Sequence, residues 1–365
     1  KITSTKNFTP SDYYLVVTIF YFLLKFTRIS EFGVDLPAII FSILAIYYFF
    51  KFSETELVEE RKNYFFLIII FSIFSILIKL STAPIILLSF YLFVKHFKDL
   101  KFSIFESKYL LVYSLLISFF IQQFIYTGCF LFPTNLTCLN VSWFNQDYLK
   151  LSQGLELVNK SYNLAKDIFT PEEYIKNFNW IYFWLKRNFI EISEHLLTII
   201  FPSMIFLFFL KKKKENVFFF RDNIVIYIFL LVGLIFWLYF SPVYRFAIHL
   251  FLTLIFMLLL NFFYKKQFSK KVFLVFFSIF FFFNFSKNIL RLDTKNDIFF
   301  GIQKIHNKYV NNFEYSNEYA RIFFPDVKNN SQNGWQGRLC WDIPFICTYQ
   351  NFNVHRKNNY LFLIK

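Results

Sequence analysis

The stretch HLLTIIFPSMIFLFFLKKKKENVFFFRDNIVIYIFLLVGLIFWLYF, residues 195–240, decides the fold. Two apolar runs, His195 to Leu210 and Asn223 to Phe240, flank the tetralysine Lys211 to Lys214 and Arg221. Uncharged runs of this length approach the ~20 apolar residues that cross a bilayer as a helix, and a lysine block between two of them marks the cytoplasmic side. Further apolar runs lie at Asp12 to Phe26, Leu36 to Phe50, Asn63 to Ile78, Ala83 to Val94 and Lys108 to Phe124, and then at Phe246 to Phe263 and Val272 to Phe283. The chain therefore reads as an all-α transmembrane helical bundle of about nine membrane segments. The first, fourth and last runs are short for a perpendicular span and need aromatic belts or local bilayer thinning. The first also fits an amphipathic helix lying flat in the interface.

Composition agrees. Of 365 residues, 56% are hydrophobic and 60 are Phe, more apolar surface than a water-soluble domain can hide. Phe, Lys, Asn and Ile share A/T-rich codons, so the aromatic stripes are lipid-facing filler rather than cofactor boxes. The net charge of +15 is carried by short Lys and Arg runs beside apolar segments, which points to membrane orientation and away from nucleic acid. The chain opens on Lys1 and soon enters an apolar run, so a fragment or processed product is expected.

Basic residues concentrate in Lys51 to Lys62, Lys95 to Lys108, Lys211 to Arg221 and Lys265 to Lys271, which fall on alternate sides of the count and should be cytoplasmic. Thr27 to Asp35, Lys79 to Thr82, Ile125 to Glu194, Ser241 to Arg245 and the tail from Asn284 then face the other way. The resulting layout places segments one to five in residues 1–126, an outer loop in 127–194, segments six to nine in 195–285 and a C-terminal outer region in 286–365. Cys129, Cys138, Cys340 and Cys347 all lie in the two long outer regions, as disulfides in an oxidising compartment would. Pairing within each short loop is the simplest connectivity; a link between the regions stays open.

Inside the outer loop, Thr170-Pro171-Glu172-Glu173 is a helix start with a Thr cap, Pro at the first position and acids in the first turn. Trp180, Tyr182, Phe183 and Trp184, flanked by Lys186 and Arg187, read as an interfacial helix on the outer leaflet. The tail ends on the apolar Tyr360 to Ile364, which suggests a small mixed α/β domain closed by a strand.

Phosphate-cradling and hydrolase motifs are absent from the sequence, and chemistry falls to ionisable groups at span ends, where charge is expensive. Ser241-Pro242-Val243-Tyr244-Arg245-Phe246 is a tight outer connection, with His249 one turn into the membrane as a further candidate lipid-phosphate contact. Pro242 breaks the helix, and a guanidinium at the headgroup plane can grip a lipid phosphate bidentately, or merely snorkel to the interface. Glu31 and Asp35, beside Arg28 and Gly33 on the first outer connection, are candidate bases or ligands of a divalent metal, with an Arg28–Glu31 ion pair as the plainer alternative. Glu191, Glu194 and His195 form a third group at the start of a span, where carboxylates also serve as ordinary helix-dipole partners.

Taken in order, Ile29-Ser30-Glu31-Phe32-Gly33-Val34-Asp35-Leu36-Pro37, Lys79-Leu80-Ser81-Thr82-Ala83-Pro84, Gly128-Cys129-Phe130-Leu131-Phe132-Pro133 with Trp143, Ser241 to Phe246, and Cys340-Trp341-Asp342-Ile343-Pro344-Phe345-Ile346-Cys347-Thr348 resemble a group of bacterial membrane proteins from surface-polysaccharide gene clusters, related to the GT-C glycosyltransferases. The resemblance spans nearly the whole chain. It implies a polyprenyl-phosphate-linked sugar as donor, a glycan or lipid acceptor, an active face on the periplasmic side of the bacterial inner membrane, and a lipid-phosphate contact at Arg245 with Lys79 as a second. GT-C enzymes carry their catalytic carboxylate in the first outer loop, which this chain is expected to start beyond, so Glu31 and Asp35 do not simply inherit that role. The expected function is the C-terminal part of such a transferase. A flippase, polymerase or assembly component handling the same lipid-linked glycans is the alternative, favoured by buried mid-span charges or an inverted repeat.

Overall fold

The computed structural model describes residues 9–25, 35–132, 134–141, 144, 154–212, 223–264, 266–267 and 269–293, with strand residues 313–317, 320–323, 346–347, 353–357 and 360–364. Two compact units result, Lys1–Phe285 and Ser286–Lys365.

The first unit is helical. Its elements are α1 (Pro10–Lys25), α2 (Asp35–Glu54), α3 (Val58–Ile78), α4 (Ile86–Lys95), α5 (Phe97–Leu100), α6 (Tyr109–Thr127), α7 (residues 154–159), α8 (Pro171–Lys176), α9 (Trp180–Phe209), α10 (Asn223–Phe240), α11 (Ile248–Tyr264) and α12 (Lys270–Asp293). Each of the nine apolar runs overlaps a helix among the described residues. Among the described residues, α2, α3, α6 and α9 are the four helices long and apolar enough to cross a membrane. A fifth span results if Leu80–Lys95 and Phe97–Phe105, bent by 96°, are counted as one. The apolar helices within α10 and α11 are shorter, so length and composition carry four or five spans where the sequence predicts about nine.

Helix α1 corrects the alternative of a helix lying flat in the interface. It packs against α2, α9 and α11, and Tyr14, Phe20 and Tyr21 are 0–1% exposed. Phe20 meets Phe206 of α9 and Phe273 and Phe280 of α12 at ring separations of 5.2, 5.9 and 5.1 Å. Tyr14 Oη lies 3.1 Å from Thr253 Oγ1 of α11. Among lipid tails these packed rings and interhelical hydrogen bonds hold helices together, since burial from lipid brings little hydrophobic gain. Gly233 has a comparable role between α10 and α11: a Cβ there would sit 2.8 Å from Leu250 Cδ2.

Helix α9 is the second correction. The aromatic segment from Trp180 is continuous with the apolar run beginning at His195, making one helix of 30 residues. Glu191 and Glu194 therefore lie inside a helix rather than at its start, and Pro202 is accommodated within it as membrane helices allow. Ahead of it, Thr170 caps α8 in a full capping box with Glu173, as the sequence predicts.

Polar contacts sort to the two ends of the bundle. At the lysine-rich end, Glu54 accepts from Ser11 N and Ser11 Oγ at 2.7 Å each, closing the start of α1 with the end of α2. There too Lys211–Lys212 (β1) pairs antiparallel with Lys266–Gln267 (β2), and Tyr13 Oη donates to Lys266 O. The opposite end carries the Lys25–Glu194 ion pair, the contacts of Asp35, Lys79 and Arg245, and Asn284 Nδ2 donating to Leu23 O.

In the second unit, β3 (Phe313–Asn317) pairs with β4 (Ala320–Phe323) antiparallel, β4 with β5 (Ile346–Cys347) parallel, and β6 (Asn353–Lys357) with β7 (Tyr360–Ile364) antiparallel. The terminal strand expected at Tyr360 to Ile364 is β7. Apart from the end of α12, the described elements of this unit are strands, so the expected mixed α/β domain is not what they make.

Candidate functional site

Three connections at one end of the bundle bring their ionisable residues together. Asp35 opens α2 and is 5% exposed. Lys79 follows α3 in an extended conformation, its N–H closing the helix on Ser75 O. Arg245 lies in a 3-10 turn, Tyr244–Ala247, between α10 and α11. One Asp35 oxygen, Oδ1, accepts from Lys79 Nζ. The other, Oδ2, is 2.9 Å from Arg245 Nε, an ion-pair contact whose N–H does not line up as a hydrogen bond. The Lys79 ammonium also lies over the Phe246 ring, 2.8 Å from its centroid, while the Arg245 guanidinium carbon is 5.5 Å from the same ring. Two cations face one carboxylate, leaving a surplus of one positive charge, and the Arg245 side chain is 42% exposed against 7% for Asp35.

Neighbouring polar groups fix each arm. Ser75 Oγ lies 2.7 Å from Ser42 Oγ and 2.8 Å from both Ala38 O and Thr82 Oγ1, tying α3 to α2 and to the turn after Lys79. Thr82 Oγ1 in turn donates to Lys79 O at 2.8 Å. The Arg245 connection is held by two indoles: Trp184 Nε1 donates to Pro242 O at 2.6 Å and Trp237 Nε1 to Val243 O at 2.8 Å, the rings meeting edge-on at 5.7 Å. Asn159 Nδ2, at the end of α7, donates to Ser241 Oγ at 3.1 Å, adding that helix to the same connection. Lys160, fully buried, pairs with Glu156 Oε1 at 2.5 Å and lies between the rings of Trp180 and Tyr239 at 5.1 and 5.0 Å.

Burial strips water from the Lys79 ammonium and lowers its pKa to about 8. Asp35 opposes that fall, and the Arg245 charge adds to it. At neutral pH Lys79 is still mostly protonated, so both cations are available to an anion.

Other predicted residues lie elsewhere. His249 is 2% exposed in α11, and its Nδ1 has no hydrogen-bond partner among the described residues. The group at Glu194 and His195 lies beside the site through Tyr244: the His195 and Tyr244 rings are 4.5 Å apart, His195 Nδ1 is 2.9 Å from Tyr21 Oη, and Glu194 pairs with Lys25. Glu31, Arg28 and Cys340 lie outside the described residues, and Cys347 ends β5. Cys129 and Cys138 are joined in a disulfide just beyond the C-terminal Gly128 of α6, whose φ of +75° suits glycine. No three His, Cys, Asp or Glu side chains among the described residues come together as a metal site.

A family model matches residues 1–252, well over half of the chain and inclusive of Asp35, Lys79 and Arg245. The chain belongs to the family described as Domain of unknown function (DUF8201). No curated protein and no solved structure matches it. Within the part matched by that family, sequence reading singled out Asp35, Lys79 and Arg245 on three separate connections but not their convergence. It also missed Trp237 and Phe246, and took Trp184 for an interfacial anchor; an indole donor's partner is a backbone carbonyl, which leaves no mark in sequence.

Proposed function

We propose that this chain is part of an integral membrane glycosyltransferase of the GT-C type, which holds the phosphate of a polyprenyl-phosphate-linked sugar on Arg245 and Lys79 and passes the sugar to a glycan or lipid acceptor. The observation that carries this reading is the convergence of the two cations on one buried carboxylate, with positive charge in surplus. Asp35, with a cation on each oxygen, positions Lys79 and Arg245. The exposed face of the guanidinium is then free for two parallel hydrogen bonds to a phosphate, and the fixed charges stabilise the lipid phosphate as it departs. A base and any divalent metal would have to come from other groups, Glu31 among the candidates.

The same reading counts nine spans in the bacterial inner membrane, adding α1, the Ala83 to Val94 segment of α4, α10, α11 and α12 to the four long helices. It places the Arg245 end and the loop between α6 and α9 on the periplasmic side. The separation of polar contacts into two ends supports this, because Lys211–Lys212 pairs with Lys266–Gln267 beside the start of α1, while Asp35, Lys79 and Arg245 meet at the other end.

The test is sugar release from polyprenyl-phosphate-sugar by the full-length polypeptide in proteoliposomes. Transfer that falls at least tenfold in Arg245→Ala supports the reading. Full transfer by that variant removes the phosphate role, and absence of release alongside protein-dependent movement of lipid-linked glycan across the bilayer replaces the transferase with a transporter.

A further inference from the structure

A different feature stands at the lysine-rich end of the bundle. The chain turns by 96° between Leu80–Lys95 and Phe97–Phe105, so this second piece runs across the direction of α4 instead of continuing it. One side of it is anchored: Leu100 and Ser103 are 0–1% exposed, and α5 packs on α3 and α4. The other side carries Phe97, Phe102 and Phe105, exposed by 51, 73 and 79%. Lysines 98 and 101 are interleaved with these rings, with Asp99 as the intervening acid, and Lys101 lies 4.7 Å from the Phe102 centroid. Further on, Glu106 is neutralised by Lys108 at 2.8 Å, so it does not cancel the charge of the turn.

Three large rings facing outward would be costly in water, and two ammonium groups between them would be costly among acyl chains. Both costs vanish at the boundary, where rings reach the acyl region and lysine stems carry their charges up to the phosphates. We propose that Phe97–Phe105 is an interfacial anchor that lies in one leaflet and binds anionic lipid headgroups through Lys98 and Lys101. The proposal rests on membrane embedding alone and is independent of the chemistry at Arg245.

Amide hydrogen exchange over residues 97–105 of the full chain tests it, in nanodiscs of phosphatidylcholine alone or mixed with phosphatidylglycerol. Each lysine near an anionic surface is worth about fivefold, so anionic lipid should slow exchange by roughly tenfold or more, and high salt should reverse the effect. The double variant Lys98→Gln/Lys101→Gln should lose the lipid-dependent part alone; Phe102→Ser/Phe105→Ser should lose protection in both lipids. Equal protection in both lipids, insensitive to salt and to the lysine variant, would identify a re-entrant or broken span and overturn the proposal. Slowing by inorganic phosphate added to phosphatidylcholine discs would also overturn it, by assigning the lysines to a free anion.

Discussion

Replacing Asp35 by Asn removes the charge that stands between Lys79 and Arg245 while leaving a side chain of the same shape. The Lys79 ammonium then loses the partner that opposes its desolvation and keeps Arg245, which disfavours its charge. A unit charge about 4 Å away contributes roughly 4 kcal/mol at an effective dielectric of about 20. That corresponds to about three pH units as an upper bound; relaxation and water around an Arg245 side chain that is 42% exposed bring the expectation to about one to two. From a wild-type value of about 8, Lys79 should titrate below about 7 in Asp35→Asn. Arg245→Ala should act in the opposite direction, raising the value by up to about one unit. Competitive labelling with trace acetic anhydride, resolved at Lys79 by mass spectrometry across pH in nanodiscs, reads both. In the wild type about half of Lys79 should label as neutral amine at pH 8, against about 0.3% for an ordinary lysine. A wild-type midpoint near 10.5, or midpoints that move the same way in both variants, would refute the reasoning. The proposed phosphate contact makes a further claim on the same assay: a polyprenyl phosphate should raise the Lys79 midpoint in wild type and much less in Arg245→Ala.

Trp184→Phe and Trp237→Phe each leave a carbonyl of the Pro242–Val243 connection without its indole donor, at a cost of about 1–2 kcal/mol apiece in thermal unfolding. Both should also weaken lipid-phosphate protection of Lys79, whereas a purely structural role would leave the labelling profile unchanged. Glu156→Gln strands the buried Lys160 charge and should cost about 2–4 kcal/mol, with Lys160→Met recovering part of the loss in the double variant. Reduction of Cys129–Cys138, which closes a loop with a sequence separation of nine, should cost about 2–3 kcal/mol and lower the melting temperature of wild type but not of Cys129→Ala/Cys138→Ala.

Much of this protein was decided by its sequence. Apolar runs place helices at all nine positions because in lipid a backbone must satisfy its own hydrogen bonds, which leaves an apolar segment little choice but a helix. Local chemistry also survives folding: Thr170 caps α8, Cys129 meets Cys138, and Tyr360 to Ile364 forms a strand. Lys79 and Asp35 were separately visible as charges at the ends of apolar runs, where charge is costly.

Tertiary structure decided the rest. Periodicity reads how apolar a helix is, but in a bilayer both lipid and protein neighbours are apolar, so it could not tell that α1 is central rather than superficial. Nor could it join Trp180 to Phe209, because the carboxylates at Glu191 and Glu194 interrupt an apolar run without breaking a helix. The meeting of Asp35, Lys79 and Arg245 is a long-range event, spanning 44 residues between Asp35 and Lys79 alone. Three connections that are separate in sequence are brought to one carboxylate by how α2, α3, α10 and α11 pack. Only that packing turns three costly charges into one site.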